Sequence, residues 1–222
     1  TDDHGWVRMA TDYTDAAVVT HVPVLLSEVV DGLVLQSGDA AIDCTFGAGG
    51  YTRAFVQAVG AKGHVLAIDR DPAAIAEGKA LAHEARGRLT LVHGSFGDVA
   101  AIAELAKFPS AQGIAADLGF SSTQLDASDR GFSFTHTGPL DMRFDPTSDL
   151  PTAADLVRTL SEAELEKILR NYGEEPRARK IAGAIVAART AKSMVTTADL
   201  ADAIARVVRS SGHTHTATRT FQ

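Results

Sequence analysis

Asp43-Cys44-Thr45-Phe46-Gly47-Ala48-Gly49-Gly50-Tyr51 is the stretch on which the reading of this chain turns. Before it, Ala40-Ala41-Ile42 is a short apolar run of the kind that ends a buried strand; after it, residues 52–59 place apolar side chains at helical spacing. Strand, glycine turn and helix in succession leave backbone N–H groups facing outward at a helix N-terminus, whose partial positive charge suits a phosphate or a carboxylate. His64-Val65-Leu66-Ala67-Ile68 then reads as a second strand ending in Asp69. An acid about twenty residues beyond the glycines is placed to accept hydrogen bonds from ribose hydroxyls. The two features together imply a nucleoside-containing cofactor.

The turn itself separates two cofactors. A dinucleotide fingerprint, G-x-G-x-x-G, uses its third glycine for close helix–strand packing; here Gly47, Gly49 and Gly50 are present, but position 52 is Thr. Asp43 would also repel a pyrophosphate, whereas it tolerates the ammonium group of S-adenosyl-L-methionine. That cofactor is favoured over NAD, and a merely structural glycine turn is the remaining reading. A third strand is expected at 89–93, followed by Phe96, which either flanks an adenine or packs in the core. A fourth strand, 113–116, leads into Asp117. Helices are expected at 28–33, with Ser27 as cap or with Leu25 and Leu26 already helical, at 73–85 with Asp71 as cap, and at 99–107. Alternating strands and helices mean an α/β fold with a Rossmann-like, doubly wound parallel sheet, whose ligand lies outside the carboxyl ends of the strands. Asp43, Asp69, Phe96 and Asp117 all fall at that edge.

Beyond residue 126 the character changes. Arg130-Gly131-Phe132-Ser133-Phe134 and Gly138-Pro139-Leu140-Asp141-Met142-Arg143 form a loop region rich in aromatics and paired charges, the content of a functional loop. From Thr152 onward the chain reads as consecutive helices, at 153–159, 162–171, 177–190 and 198–208, with capping-box spacing at Thr152/Asp155 and Ser161/Glu164. The chain of 222 residues has a net charge of −7, but residues 176–222 hold eight Lys/Arg against two acids, leaving −13 for the rest. That asymmetry marks the C-terminal stretch as a candidate surface for an anionic partner. No apolar run is long enough to span a membrane. The polar start, with Trp6 among acids, does not read as a signal peptide, and a single cysteine, Cys44, fits a small buried hydrophobe in a cytoplasmic protein. His213 and His215 lack further ligands, so no metal site is expected.

These motifs, in this order, resemble the RsmH (MraW) family, S-adenosylmethionine-dependent methyltransferases that modify the N4 amine of a cytidine in small-subunit (16S) ribosomal RNA. The resemblance is carried by His21-Val22-Pro23-Val24-Leu25-Leu26, by residues 43–50, and by Asp69-Arg70-Asp71-Pro72. It continues in Asp117-Leu118-Gly119, Ser121-Ser122, Gln124-Leu125-Asp126, the two loop motifs above, Tyr172-Gly173-Glu174-Glu175, and Ala217-Thr218-Arg219-Thr220-Phe221-Gln222. It implies cofactor contacts from Gly49, Gly50, Tyr51, Asp69, Phe96, Asp117 and Gln124. It also implies a helical substrate-recognition subdomain (127–210) set into a methyltransferase domain (21–126), after a flexible arm (1–20). A return segment (211–222) would lead back to a sheet whose final strands are missing from this chain. The Asp117-Leu118-Gly119-Phe120 turn is similar to the acidic-then-aromatic turn of amino-methyltransferases. Asp117 is then the polar anchor of the target amine or a cofactor contact, and Phe120 a stacking partner. Arg143, Arg177, Arg179 and Lys180 are the candidates for phosphate contacts with ribosomal RNA or the small ribosomal subunit. The family commonly has His where Tyr51 stands and Val where Phe120 stands, so these two side chains need their own account. The rival readings are an RNA-binding or ribosome-assembly module with a vestigial cofactor fold, and an NAD-dependent oxidoreductase.

Overall fold

The computed structural model describes residues 23–108, 110–208 and 216–222. The expected arm and the His213/His215 pair lie outside the described residues. The first half is a parallel sheet of β1 (Ala40–Asp43), β2 (His64–Asp69), β3 (Leu89–His93) and β4 (Gly113–Ala115), in the order β3-β2-β1-β4. The order reverses between β1 and β4, and the crevice at such a reversal is where doubly wound sheets hold their ligands. Register is set by burial. All four residues of β1 are buried, and Val65, Leu66, Ala67 and Ile68 of β2 are fully enclosed, as continuous apolar strands covered on both faces require. One face packs on α1 (Leu26–Leu33) and α2 (Gly50–Ala58), the source of the cluster of Val30, Phe55, Val59 and Val65; the other carries Ile42, Cys44, Leu66 and Ile68 against α5 (Val99–Leu105). β4 pairs with β1 alone among the described strands, and Ile114 is 55% exposed.

Three local expectations are corrected. Ser27 does not cap α1: the cap position is Leu25, in the left-handed region at φ 54°, and the Ser27 hydroxyl instead donates to Glu28. The helix expected at 73–85 is two short ones, α3 (Pro72–Glu77) and α4 (Lys79–Glu84), meeting at Gly78, where any Cβ would lie 2.6 Å from the Phe46 ring. Asp117 is not the end of β4 but lies in the loop beyond it, its N–H held by the Thr45 hydroxyl at 2.7 Å.

The second half has its own core. α7 (Ala153–Thr159), α8 (Glu162–Asn171), α9 (Ala178–Ala191) and α10 (Thr197–Ala205) bury Leu140, Leu165, Leu169, Ile181, Ile185, Leu200 and Ile204 together. Capping boxes at Thr152, Ser161 and Thr196 fix three of the four helix starts. The described part of the expected return segment, with α11 (Thr218–Phe221), packs here rather than on the sheet: Ala217 and Phe221 belong to this helical core, and Phe221 meets the Phe134 ring at 5.2 Å. No described helix is long and apolar enough to cross a membrane.

Candidate active site

The corner after β1 is built around a buried carboxylate. Asp43 is 1% exposed and accepts hydrogen bonds from the Thr52 hydroxyl at 2.6 Å and the Thr45 N–H at 3.0 Å. Burial pushes its pKa up to about 6 in spite of these bonds, and the charge of Asp69 adds to the rise. Thr52 occupies the place of the third glycine of a dinucleotide turn. Its side chain, fully buried, is the donor that makes a carboxylate tolerable there.

Gly49 ends the turn at φ 81°, in the left-handed region, and a Cβ on it would lie 2.9 Å from the Phe46 ring. Gly50 starts α2 and is approached so closely by Pro23 that a Cβ would lie 2.3 Å from the proline ring. The His21-Val22-Pro23 motif thus meets the glycine turn through its proline. α2 has no side-chain cap and no acid in its first turn; the Thr52 N–H turns to Asp43, and the Gly50 and Tyr51 N–H groups keep their donor capacity. Tyr51 is buried; its hydroxyl donates to the Val24 carbonyl and its ring packs on Phe55 at 6.0 Å. Burial first, then the charges of Asp117, Asp43 and Glu28, raise the phenol pKa. Tyr51 therefore fastens the segment before α1 to the first turn of α2.

Asp69, at the end of β2, accepts the Gly47 N–H at 2.7 Å and the Asp71 N–H at 2.8 Å. A carboxylate has room for about four hydrogen bonds, so ribose hydroxyls can still be accepted. Phe96 sits in a 3-10 turn (Phe96–Asp98) just beyond β3, 42% exposed. Asp117 and Phe120 are both exposed in the loop after β4, and Phe120 stacks on Phe132 at 6.2 Å and 28°. The expected edge residues are thus brought together at the carboxyl ends of the four strands.

Two expected site residues have their polar groups engaged inside the protein. Gln124, in α6 (Ser122–Asp126), is 6% exposed; its amide donates to Asp71 at 2.9 Å and its carbonyl accepts the Ser121 N–H at 3.0 Å. Arg143 grips both oxygens of Asp141, at 2.8 and 2.7 Å, and donates to the Ser148 carbonyl at 2.7 Å. Its fork is a brace within the loop. Arg177, Arg179 and Lys180 are exposed and line an open groove of about 450 Å³ with Glu162, Pro176 and Gly183.

The sequence reading missed Thr45, Thr52 and the ion pair of Arg130 with Asp71, 2.7 Å apart with side chains 14% and 4% exposed. Burial would raise the Asp71 carboxyl, but hydrogen bonds from Gln124 and Arg130 outweigh it and hold the group below its ordinary value. A second pair, His93 with Asp145 at 3.1 Å, ties the far side of the same loop to the end of β3.

The fit of a cofactor follows from the donor set. Asp43, Asp69 and Asp117 give the crevice a negative field. That field suits a sulfonium and an α-ammonium group and opposes a pyrophosphate. No group of three or more His, Cys, Asp or Glu able to hold a metal occurs among the described residues.

Comparison with known proteins adds the family context. The MraW methylase family matches residues 18–222. The chain is 50% identical over 209 residues to "Ribosomal RNA small subunit methyltransferase H" of Thermomicrobium roseum, covering 94% of this chain and 64% of that protein. The protein of the same name from Azorhizobium caulinodans is 49% identical over 212 residues, covering 94% and 60%; that of Nitrosomonas europaea is 46% identical over 206 residues, covering 91% and 64%. The chain spans less than two thirds of the length of these relatives.

Proposed function

The chain belongs to the MraW methylase family, and we propose that it takes part in methyl transfer from S-adenosyl-L-methionine to the exocyclic N4 amine of a cytidine in 16S ribosomal RNA. The observation that carries this reading is the carboxyl edge of the parallel sheet, along which a glycine turn, three carboxylates and two exposed aromatic rings lie at or just beyond the strand ends. The cofactor would supply an electrophilic methyl group on a sulfonium; everything else falls to the protein.

Asp69 is the acceptor for the ribose hydroxyls, with Phe96 beside the adenine. The N–H groups of Gly50 and Tyr51 are the donors for the carboxylate end, Gly49 shapes the turn with its own N–H bonded to the Phe46 carbonyl at 2.7 Å, and Asp43 offsets the positive charge through the turn. Gln124 acts from behind, by holding Asp71 next to Asp69. The target amine is a weak nucleophile because its lone pair is delocalised into the ring. Asp117 accepts its N–H and offsets the positive charge that develops on nitrogen as the new bond forms. Phe120 offers its face to the cytosine, which must leave its helical context to reach the crevice. Arg177, Arg179 and Lys180 meet backbone phosphates on ribosomal RNA, or on the small ribosomal subunit as a whole.

Asp117→Asn is expected to lower kcat for transfer of labelled methyl to small ribosomal subunits by about 100-fold, the scale of a lost transition-state hydrogen bond. Its cofactor Kd should stay within about threefold of the parent chain's. Full transfer activity would remove Asp117 from the mechanism. An equal loss in cofactor affinity would reassign it to cofactor binding.

A further inference from the structure

Arg130 bridges the turn after β2 and the loop around Phe144. Its Nη1 meets Asp71 Oδ2 at 2.7 Å, and its Nη2 donates to the Phe144 carbonyl at 2.9 Å and the Arg143 carbonyl at 3.3 Å. The guanidinium carbon stands 6.0 Å from the centre of the Phe132 ring. Phe132 is 7% exposed, is flanked by Phe144 at 5.3 Å, and forms the back of the Phe120 ring. On the other side, the Asp71 N–H bonds Asp69 Oδ1 at 2.8 Å. A continuous line of contacts therefore runs from the acid at the end of β2, through Asp71, Arg130 and Phe132, to Phe120, whose outer face is 45% exposed.

We propose that Arg130 is a positioning residue: it locks Phe132 as the backing plate of Phe120 and so sets the place at which a nucleobase stacks relative to the cofactor acid. The inference rests on the reading of Phe120 as a base platform. Three features point to positioning rather than to a simple stability clamp. The guanidinium plane is shared between an ion pair and an aromatic face, an arrangement for which arginine is suited and lysine is not. The two carbonyls it binds are those of Arg143 and Phe144, so one side chain holds both the Phe132 ring and the backbone of the Phe144 that flanks it. The ring it supports is the one that leaves Phe120 half exposed over the loop bearing Asp117.

The test is a double-mutant cycle on the full chain with Arg130→Lys, Phe120→Leu and both. Affinity is measured for a short single-stranded oligoribonucleotide containing cytidine, without cofactor, and separately for S-adenosylmethionine. Arg130→Lys keeps a charge opposite Asp71 while losing the fork and the planar contact. Each single variant is expected to weaken the oligonucleotide about tenfold, the scale of one lost base–aromatic stack, and the double variant by the same factor rather than its square. S-adenosylmethionine affinity should stay within about twofold throughout. Multiplying effects, or cofactor and oligonucleotide affinities falling together, would overturn the proposal and leave Arg130 a structural clamp. Absence of oligonucleotide binding by the parent chain, with cofactor bound normally, would also overturn it. Failure of the parent chain to bind S-adenosylmethionine would instead count against the methyltransferase reading, and the oligonucleotide cycle would still decide the role of Arg130.

Discussion

Replacing Asp43 by asparagine is expected to stabilise the chain at pH 7.5 and, at the same time, to weaken S-adenosylmethionine binding. Burial raises the Asp43 pKa from an ordinary 3.8 to about 6, so the folded state holds the proton more tightly than the unfolded chain. The sign follows directly. Below about pH 4 the group is protonated in both states and costs nothing. As pH rises toward 6 stability is lost, and above 6 the full penalty is present, about 3 kcal/mol for a rise of this size. Asparagine removes the charge while keeping an acceptor for the Thr45 N–H, so a gain of about 1–3 kcal/mol at pH 7.5 is expected. The decline in stability between pH 4 and 6 should flatten. Urea unfolding across this range checks both. Losing a charge that acts on the cation through the turn is expected to weaken binding roughly 10-fold in Kd. Opposite signs for stability and affinity would mark Asp43 as a residue kept charged for its ligand. A variant that is less stable at every pH would show the carboxylate to be a structural acceptor for Thr52 instead.

Asp71→Ala is expected to produce the largest loss of stability, about 3–5 kcal/mol, because it leaves the Arg130 guanidinium without its ion partner in a mostly buried setting. It also removes the cap on α3, where Asp71 Oδ1 accepts the Ala73 N–H at 3.0 Å, and the partner of the Gln124 amide. The midpoint of urea unfolding should fall with little change in slope. Asp71→Asn, which keeps a cap and an acceptor but not the charge, should lie between the two. The Asp71 pKa is lowered in the folded state. Its contribution is therefore present above the ordinary carboxylate range and lost only as pH falls through the folded value, so the difference between variant and parent should close only in acid. A loss under about 1 kcal/mol at neutral pH would mean that the Arg130 pair is exchanged for water at little cost.

The parts of the fold that were legible in the sequence are those set by local rules. Parallel strands interleaved with helices follow from apolar runs and turn residues, and the starts of α7 and α8 follow from hydroxyl residues at capping spacing. Asp69 was placed by its distance from the glycines, and the structure sets it against the Gly47 N–H. What local rules could not supply were pairings across long stretches of chain. Arg130 and Asp71 are 59 residues apart, and nothing near either names the other. Thr52 was noticed only as a departure from a dinucleotide turn; its bond to Asp43 depends on how the first turn of α2 closes over the end of β1. Arg143 stands among the sequence candidates for phosphate contact, and its local pairing is invisible at that level. Its fork is closed on Asp141, two residues away, through a turn at Met142 with φ 61°. The need for glycine at 78 depends on Phe46, which projects from the glycine turn of a different element.

The most direct test of the central claim, that the corner after β1 is a site for S-adenosylmethionine, is calorimetric titration of this 222-residue chain with that compound, with NAD as control. Saturable binding of S-adenosylmethionine, weakened by Asp43→Asn and absent for NAD, is the result predicted here. Binding of NAD, or of neither compound by a chain shown to be folded, would contradict it.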